Sequence, residues 1–158
     1  VAKLAGARVI ATSGSDAKLA LAARLGAELT LNHSTEDVAR RVREFTGSGV
    51  DIVVDTVGEA TWPVSLRALR PGGTLVTCGA TSGPHVTLDL RKLFWFQWSL
   101  LGSTMGSDAE FGAIVELARQ GELRPVIDSV VPLADAPAAL ARLASGAQAG
   151  KLVIEVAS

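Results

Sequence analysis

Short runs of β-branched residues alternate with helix-patterned segments along almost the whole chain, and this alternation limits the fold more than any other feature. A strand that leads through a helix into another strand rejoins the same sheet in parallel, and parallel sheets are covered by helices on both faces. The run Arg-Val-Ile-Ala-Thr at 8–12 reads as a buried strand, and the alanine-rich stretch 16–25 as a helix stopped by Gly26. Residues 28–31 give a second strand. Ser34 and Asp37 have capping-box spacing and open a helix that runs to about Thr46. Asp-Ile-Val-Val-Asp-Thr at 51–56 is the clearest strand. A helix over 62–69, a turn at Pro71-Gly72-Gly73 and a strand over 74–78 come next. The series continues with a helix over 90–96, a strand over 99–101 and a helix that a second capping box, Ser107 with Glu110, opens and Gly121 ends. A strand over 126–131, a helix over 135–144 and a strand over 152–156 complete it.

The expected fold is therefore α/β, a doubly wound parallel sheet. Sheets of this kind bind ligands at the carboxyl ends of their strands. Thr12-Ser13, Asn32-His33, Thr56-Val57-Gly58, Cys78-Gly79-Ala80 and Gly102-Ser103-Thr104 each follow a strand directly. Taken singly they are ordinary turn formers. Five such groups at successive strand ends fit one ligand groove better than five unrelated turns.

Composition narrows the partners. A chain of 158 residues is long enough for one unit with a sizeable core. A formal net charge of −1 argues against a basic face that would hold nucleic acid or anionic lipid. No apolar run approaches the ~20 residues needed to span a bilayer. Cys78 is the only cysteine, which excludes an internal disulfide and points to a reducing compartment, the cytoplasm; at a strand end it reads as a small buried residue. Trp62, Trp95, Trp98, Phe94 and Phe96 read as packing or subunit-contact residues. Residues 1–6 read as the last turn and a half of a helix with its stop at Gly6.

A dinucleotide-binding fold usually announces itself by a strand, G-x-G-x-x-G and a helix, because the glycines let backbone N–H groups approach a pyrophosphate. That motif does not occur here, since Gly47-Ser48-Gly49 precedes a strand and has no third glycine. The chain instead starts where the helix of the motif would finish. In several stretches it resembles the medium-chain dehydrogenase/reductase family, in the quinone oxidoreductase and zinc-type alcohol dehydrogenase-like branch. These are Ala-Lys-Leu-Ala-Gly-Ala-Arg-Val-Ile-Ala-Thr from Ala2, Leu25-Gly26-Ala27, the segment 49–58, Leu69-Arg70-Pro71-Gly72-Gly73 and Gly150-Lys151-Leu152-Val153-Ile154. Their order and spacing together carry the resemblance. It implies that residues 1–158 are a partial dinucleotide-binding domain, a Rossmann-like sheet lacking its first strand, with a catalytic GroES-like domain expected upstream.

The resemblance also implies roles for individual positions. Ser13 stands where NAD-specific relatives carry an acidic residue on the adenosine ribose. Lys18 matches the lysine that NADPH-using relatives direct at the 2′-phosphate. Together they imply NADPH in preference to NADH. His33 stands where many relatives have a phosphate-contacting tyrosine; as a lone residue it also reads as part of a surface turn. With Thr12 beside this pocket, Thr56, Val57 and Gly58 would lie near the adenosine end, Gly79, Ala80 and Thr81 would line the groove, and Gly102, Ser103 and Thr104 would approach the nicotinamide. Hydride transfer to a carbonyl, quinone or activated double bond of a small molecule is the implied reaction. No catalytic acid, base or zinc ligand is assigned in this chain, and zinc in the expected upstream domain stays open. The strand over 99–101 is expected at a sheet edge that pairs with its copy in a homodimer. Two rivals remain: an S-adenosylmethionine-dependent methyltransferase-like domain, suggested by Leu-Arg-Pro-Gly-Gly-Thr-Leu-Val at 69–76, and a non-catalytic reductase-like scaffold.

Overall fold

In the computed structural model, which describes residues 1–156, the first strand β1 (Ile10–Ser13) leads into helix α1 (Asp16–Arg24) and strand β2 (Leu29–Asn32). Gly26 stops α1 as expected, whereas residues 2–6, expected as the end of a helix, form a hydrogen-bonded turn at Gly6 and no helix. Gly6 and Gly26 have φ of +78° and +97°, a region that L side chains rarely adopt. At each, the N–H of the glycine and of the next residue turn back onto the preceding turn (Gly6 to Lys3 O and Ala7 to Ala2 O; Gly26 to Ala23 O and Ala27 to Ala22 O).

Helix α2 (Val38–Thr46) starts three residues later than the Ser34 capping box predicts. Asp37 is the N-cap and accepts from the Arg40 N–H at 3.2 Å. The cause lies in Asn32. Its side-chain oxygen accepts from Ser34 N–H at 3.0 Å, while Glu36 turns back to accept from Asn32 N–H at 2.9 Å. That local turn withholds residues 33–36 from the helix.

Strand β3 (Val50–Asp55) is followed by α3 (Trp62–Ala68), with Pro63 in its first turn, and β4 (Leu69–Thr77). The Pro71-Gly72-Gly73 turn lies inside β4 and not ahead of it. The register jumps from Val50↔Leu69 to Ile52↔Thr74, so the turn is an outward bulge. Gly72 N–H donates to Phe96 O at 2.7 Å, and the Arg70 guanidinium meets Asp51 at 2.7 Å. Helix α4 (Leu90–Trp95) and strand β5 (Ser99–Gly102) follow.

All these strand pairs are parallel, in two sheets of order β1-β2 and β3-β4-β5, with β5 at an edge as expected. Two apolar clusters hold this unit, Ala2–Gly106, together. Leu31, Val42 and Ala68 bring β2, α2 and α3 into contact, with Ile10, Val50 and Val53 packed against them. Trp62, Leu66, Leu69 and Leu75 form the second cluster, with Trp98 and Leu100 beside it. Leu31 and Leu75 are fully buried, each contributing about 2 kcal/mol by transfer from water. Trp98 also donates its indole N–H to Arg70 O at 3.1 Å and stacks on Phe96, which ties the bulge to the end of α4. Phe94 and Trp95 are exposed.

A second unit begins at Ser107. Ser107 and Glu110 form the expected capping box at the start of α5 (Asp108–Arg119), and Gly121 follows with φ +76°. Strands β6 (Ile127–Pro132) and β7 (Lys151–Glu155) pair in parallel, and α6 (Ala136–Ala144), entered through a short 3-10 turn at Leu133–Asp135, packs on both. The Asp128 carboxylate joins these elements. It accepts from Ala149 N–H at 2.7 Å and from both terminal nitrogens of Arg142.

Candidate functional site

The residues expected to line a groove lie at or just after the carboxyl ends of the strands in the Ala2–Gly106 unit, with Lys18 in the first turn of α1, in three local groups. The first sits at β1 and β2, where Ser13 pairs with Asn32. Ser13 Oγ accepts from Ser15 N–H at 3.2 Å, and Ser13 O accepts from His33 N–H at 3.1 Å. Thr12 and His33 are exposed; Lys18, in the first turn of α1, is half-buried. The imidazole lies over Gly14, since a Cβ built there would meet His33 Cε1 at 3.1 Å and Ser34 Oγ at 3.0 Å. Asn32, marked in the sequence as one of the strand-end groove residues, organises this corner. Its amide donates to Asp16 at 2.7 Å, pinning the start of α1 to the end of β2.

The second group brings together Thr56, Val57, Gly58, Gly79, Ala80 and Thr81. The loops after β3 and β4 are cross-linked: Ser82 donates its N–H and its hydroxyl to Val57 O at 2.9 and 2.8 Å, and its Oγ accepts from Ala60 N–H at 3.0 Å. Gly58 and Gly83 form a bridge, and Glu59 N–H reaches Gly83 O at 3.2 Å. Glycine is required at 58. Its φ is +91°, and a Cβ would stand 2.6 Å from Gly83 O. Gly79 has the same constraint from Thr56 O, also at 2.6 Å.

Beneath these loops lies Asp55, the only buried charged side chain among the described residues, at 4% exposure. Its Oδ1 accepts from the N–H groups of Val57 and Gly58, both at 2.9 Å. Oδ2 accepts from Thr61 Oγ1 at 2.8 Å and Ser65 Oγ at 2.6 Å. Burial alone would raise the Asp55 pKa, but the bonds from Ser65, Gly58, Val57 and Thr61 outweigh it and hold the carboxyl below the ordinary aspartate value. Sequence reasoning placed Asp55 in a strand and missed Ser82. An acid at an inward strand position, just before a Thr-Val-Gly turn, was the available signal.

Gly102, Ser103 and Thr104 form the third group. They are exposed, and Ser103 N–H donates to Thr77 O at 2.9 Å, which joins the end of β5 to that of β4. A Cβ on Gly102 would meet nothing within 4 Å. Cys78 is exposed and not buried as expected, because β4 ends one residue earlier and Cys78 belongs to the loop. Another hollow, an open depression of about 470 Å³ along α4 lined by Phe94, Trp95 and Phe96, lies away from the strand ends. Among the described residues no three His, Cys, Asp or Glu side chains gather as metal ligands, so these residues do not fit a zinc centre. No helix among them is long and apolar enough to cross a membrane.

Parallel strands alternating with helices, and glycine-containing loops gathered at the carboxyl strand ends, define a Rossmann-type α/β fold. Comparison with known proteins agrees. A crystal structure of an NAD-dependent alcohol dehydrogenase superposes with a TM-score of 0.91 at 40% identity, over 99% of this chain and 46% of that one. A quinone oxidoreductase of Pseudomonas syringae gives 0.83 at 32% identity, over 98% of this chain and 51% of that one. Among curated proteins, a quinone oxidoreductase of Pseudomonas aeruginosa is 34% identical over 97% of this chain and 50% of its own length. An NAD-dependent alcohol dehydrogenase of Sulfolobus acidocaldarius is 33% identical over 96% of this chain and 44% of its own length. The family model described as zinc-binding dehydrogenase matches residues 1–120. The chain belongs to that family, within the medium-chain dehydrogenases/reductases, and spans about half the length of these relatives.

Proposed function

We propose that this chain is the cofactor-binding part of an NADPH-dependent oxidoreductase that transfers a hydride to a carbonyl, quinone or activated double bond of a small molecule. The observation that carries this reading is the cross-linked pair of loops at residues 56–61 and 78–83, set at the carboxyl ends of adjacent parallel strands in a chain matched to dehydrogenases. The residues fit such a cofactor. Close backbone packing at Gly58 and Gly79 gives a shelf for the adenosine end, and Ser103 and Thr104 stand at the neighbouring strand end for the nicotinamide. Ser13, at the end of β1, and Lys18, in the first turn of α1, are the residues the family resemblance assigns to the 2′-phosphate. The cofactor supplies the hydride chemistry; the chain orients it. The acid that delivers a proton to the product, and any zinc, would belong to the rest of a longer, cytoplasmic, homodimeric enzyme.

Titration of the full-length protein with NADPH, NADH and S-adenosylmethionine, followed by calorimetry, tests this. Saturable NADPH binding, tighter than NADH, is expected. Preferential binding of S-adenosylmethionine would overturn the reading in favour of a methyltransferase-like domain, and binding of none of the three would overturn it in favour of a scaffold.

A further inference from the structure

A buried carboxylate costs several kcal/mol of desolvation unless its surroundings repay it. The last inward position of β3 would hold a valine or leucine at no such cost, yet it holds Asp55. What the carboxylate does there is visible in its donors. The N–H groups of Val57 and Gly58 converge on one oxygen, an arrangement that in other proteins makes a concave cradle for a phosphate. Here the protein fills the cradle with its own anion.

The remaining polar groups of this turn are also used internally. Val57 O is taken twice by Ser82, and Gly58 O accepts from the N–H groups of Thr61 and Trp62 at 3.0 and 2.9 Å. The turn therefore offers a ligand no free backbone donor from Val57 or Gly58. It presents the exposed Thr56, the half-buried side chain of Val57 and the exposed Ala80 and Thr81. Such a surface suits an uncharged sugar or base edge, and the anion beneath it disfavours a phosphate.

We propose that Asp55 is a positioning residue for the cofactor: an internal anion that occupies the N–H cradle of the 57–58 turn, fixes its shape, and so reserves this turn for the uncharged adenosine portion. The proposal rests on the cofactor-binding function above. It gives one carboxylate two effects, since the two backbone N–H bonds that help shape the turn also close it to phosphates.

The test compares wild-type full-length protein with Asp55→Asn and Ser82→Ala, using NADPH and adenosine as ligands. Asp55→Asn keeps the size of the side chain but removes the charge and one acceptor; Ser82→Ala unfastens the turn from the opposite side without touching Asp55. Asp55→Asn should weaken NADPH and adenosine by the same factor, about 10-fold, and raise the KM for NADPH with kcat little changed. Ser82→Ala should weaken both about 2- to 10-fold. A purely structural role would lower the melting temperature and leave both Kd values of the folded fraction alone. Unchanged Kd values in a folded Asp55→Asn variant overturn the inference; if that variant does not fold, unchanged values in Ser82→Ala overturn it. Wild-type protein that binds no nicotinamide nucleotide overturns the function and this inference together, whereas wild-type binding with unaffected variants overturns the inference alone.

Discussion

Cofactor choice should be reversible at Ser13. Its hydroxyl already accepts the Ser15 N–H at 3.2 Å, so Ser13→Asp keeps an acceptor in the same place and sets a carboxylate at the end of β1 at little cost to the fold. A carboxylate about 5 Å from a 2′-phosphate, at an effective dielectric near 20, is repelled by about 3 kcal/mol per unit charge pair. Ser13 is only half-buried, and salt with a Debye length of about 8 Å reduces this, leaving about 1.5–3 kcal/mol. NADPH binding by the full-length protein should fall roughly 10- to 150-fold. NADH should hold or gain, because its free ribose hydroxyls find an acceptor. Lys18→Ala supplies the complementary change: loss of one charge-assisted bond should weaken NADPH by a similar roughly 10- to 150-fold and leave NADH nearly unchanged. Calorimetric Kd values for both cofactors, with melting temperatures as a folding control, decide the matter. A wild type that prefers NADH, or a Lys18→Ala variant that weakens both cofactors equally, would refute the assignment of this corner.

Two other outcomes are expected. Because the folded Asp55 carboxyl titrates below its ordinary value, it stabilises the fold fully above the unfolded-state pKa, and that contribution fades as pH falls toward the folded one; urea midpoints followed from neutral to acid pH should fall more steeply for wild type than for Asp55→Asn, and identical slopes would contradict this. Strand β5 lies at the edge of its sheet and follows α4, whose Phe94 and Trp95 are exposed; light scattering of the full-length protein at micromolar concentration should report a dimer, and a strict monomer would count against pairing at that edge.

Much of the fold was legible because its punctuation is local. Gly26 and Gly121 stop helices through their own backbone freedom, and Ser107 with Glu110 starts one through contacts three residues apart. The misreadings arise where a tertiary or competing contact decides. Ser34 has cap spacing, but Asn32 captures its N–H. Pro71-Gly72-Gly73 has turn chemistry, but Phe96 and Asp51 hold it as a bulge within a continuing strand. At the site, the glycines and small polar residues at strand ends could be marked from alternation alone, whereas Asp55 and Ser82 could not. Asp55 gathers donors from as far as 10 residues on, and Ser82 reaches Val57 from 25 residues away, so only the folded arrangement shows that the carboxylate shapes one loop and the hydroxyl fastens it to the other.

How the three groups of strand-end residues can act together depends on the sheet that carries them. Among the described residues β1 pairs only with β2, and β3 pairs only with β4; between β1 and β3 there is no ladder. Each therefore has one side of backbone N–H and C=O groups without a strand partner. What joins the two sheets is the contact of Leu31, Val42 and Ala68 through α2 and α3, while Ile52 and Val54 on β3 stay 62% and 66% exposed. Apolar packing of this kind sustains a folded chain but fixes the spacing of strand ends less sharply than a continuous ladder, and cofactor binding gains most from groups held in place beforehand. The 158-residue chain by itself should accordingly bind NADPH at least about 10-fold more weakly than the full-length protein and show no reduction of a quinone or enone. Circular dichroism should still report its helices, which separates a misplaced groove from an unfolded chain. Turnover by the isolated chain, or equal affinity in both forms, would mean that α2 and α3 alone set the distance between the Ser13 corner and the Asp55 shelf.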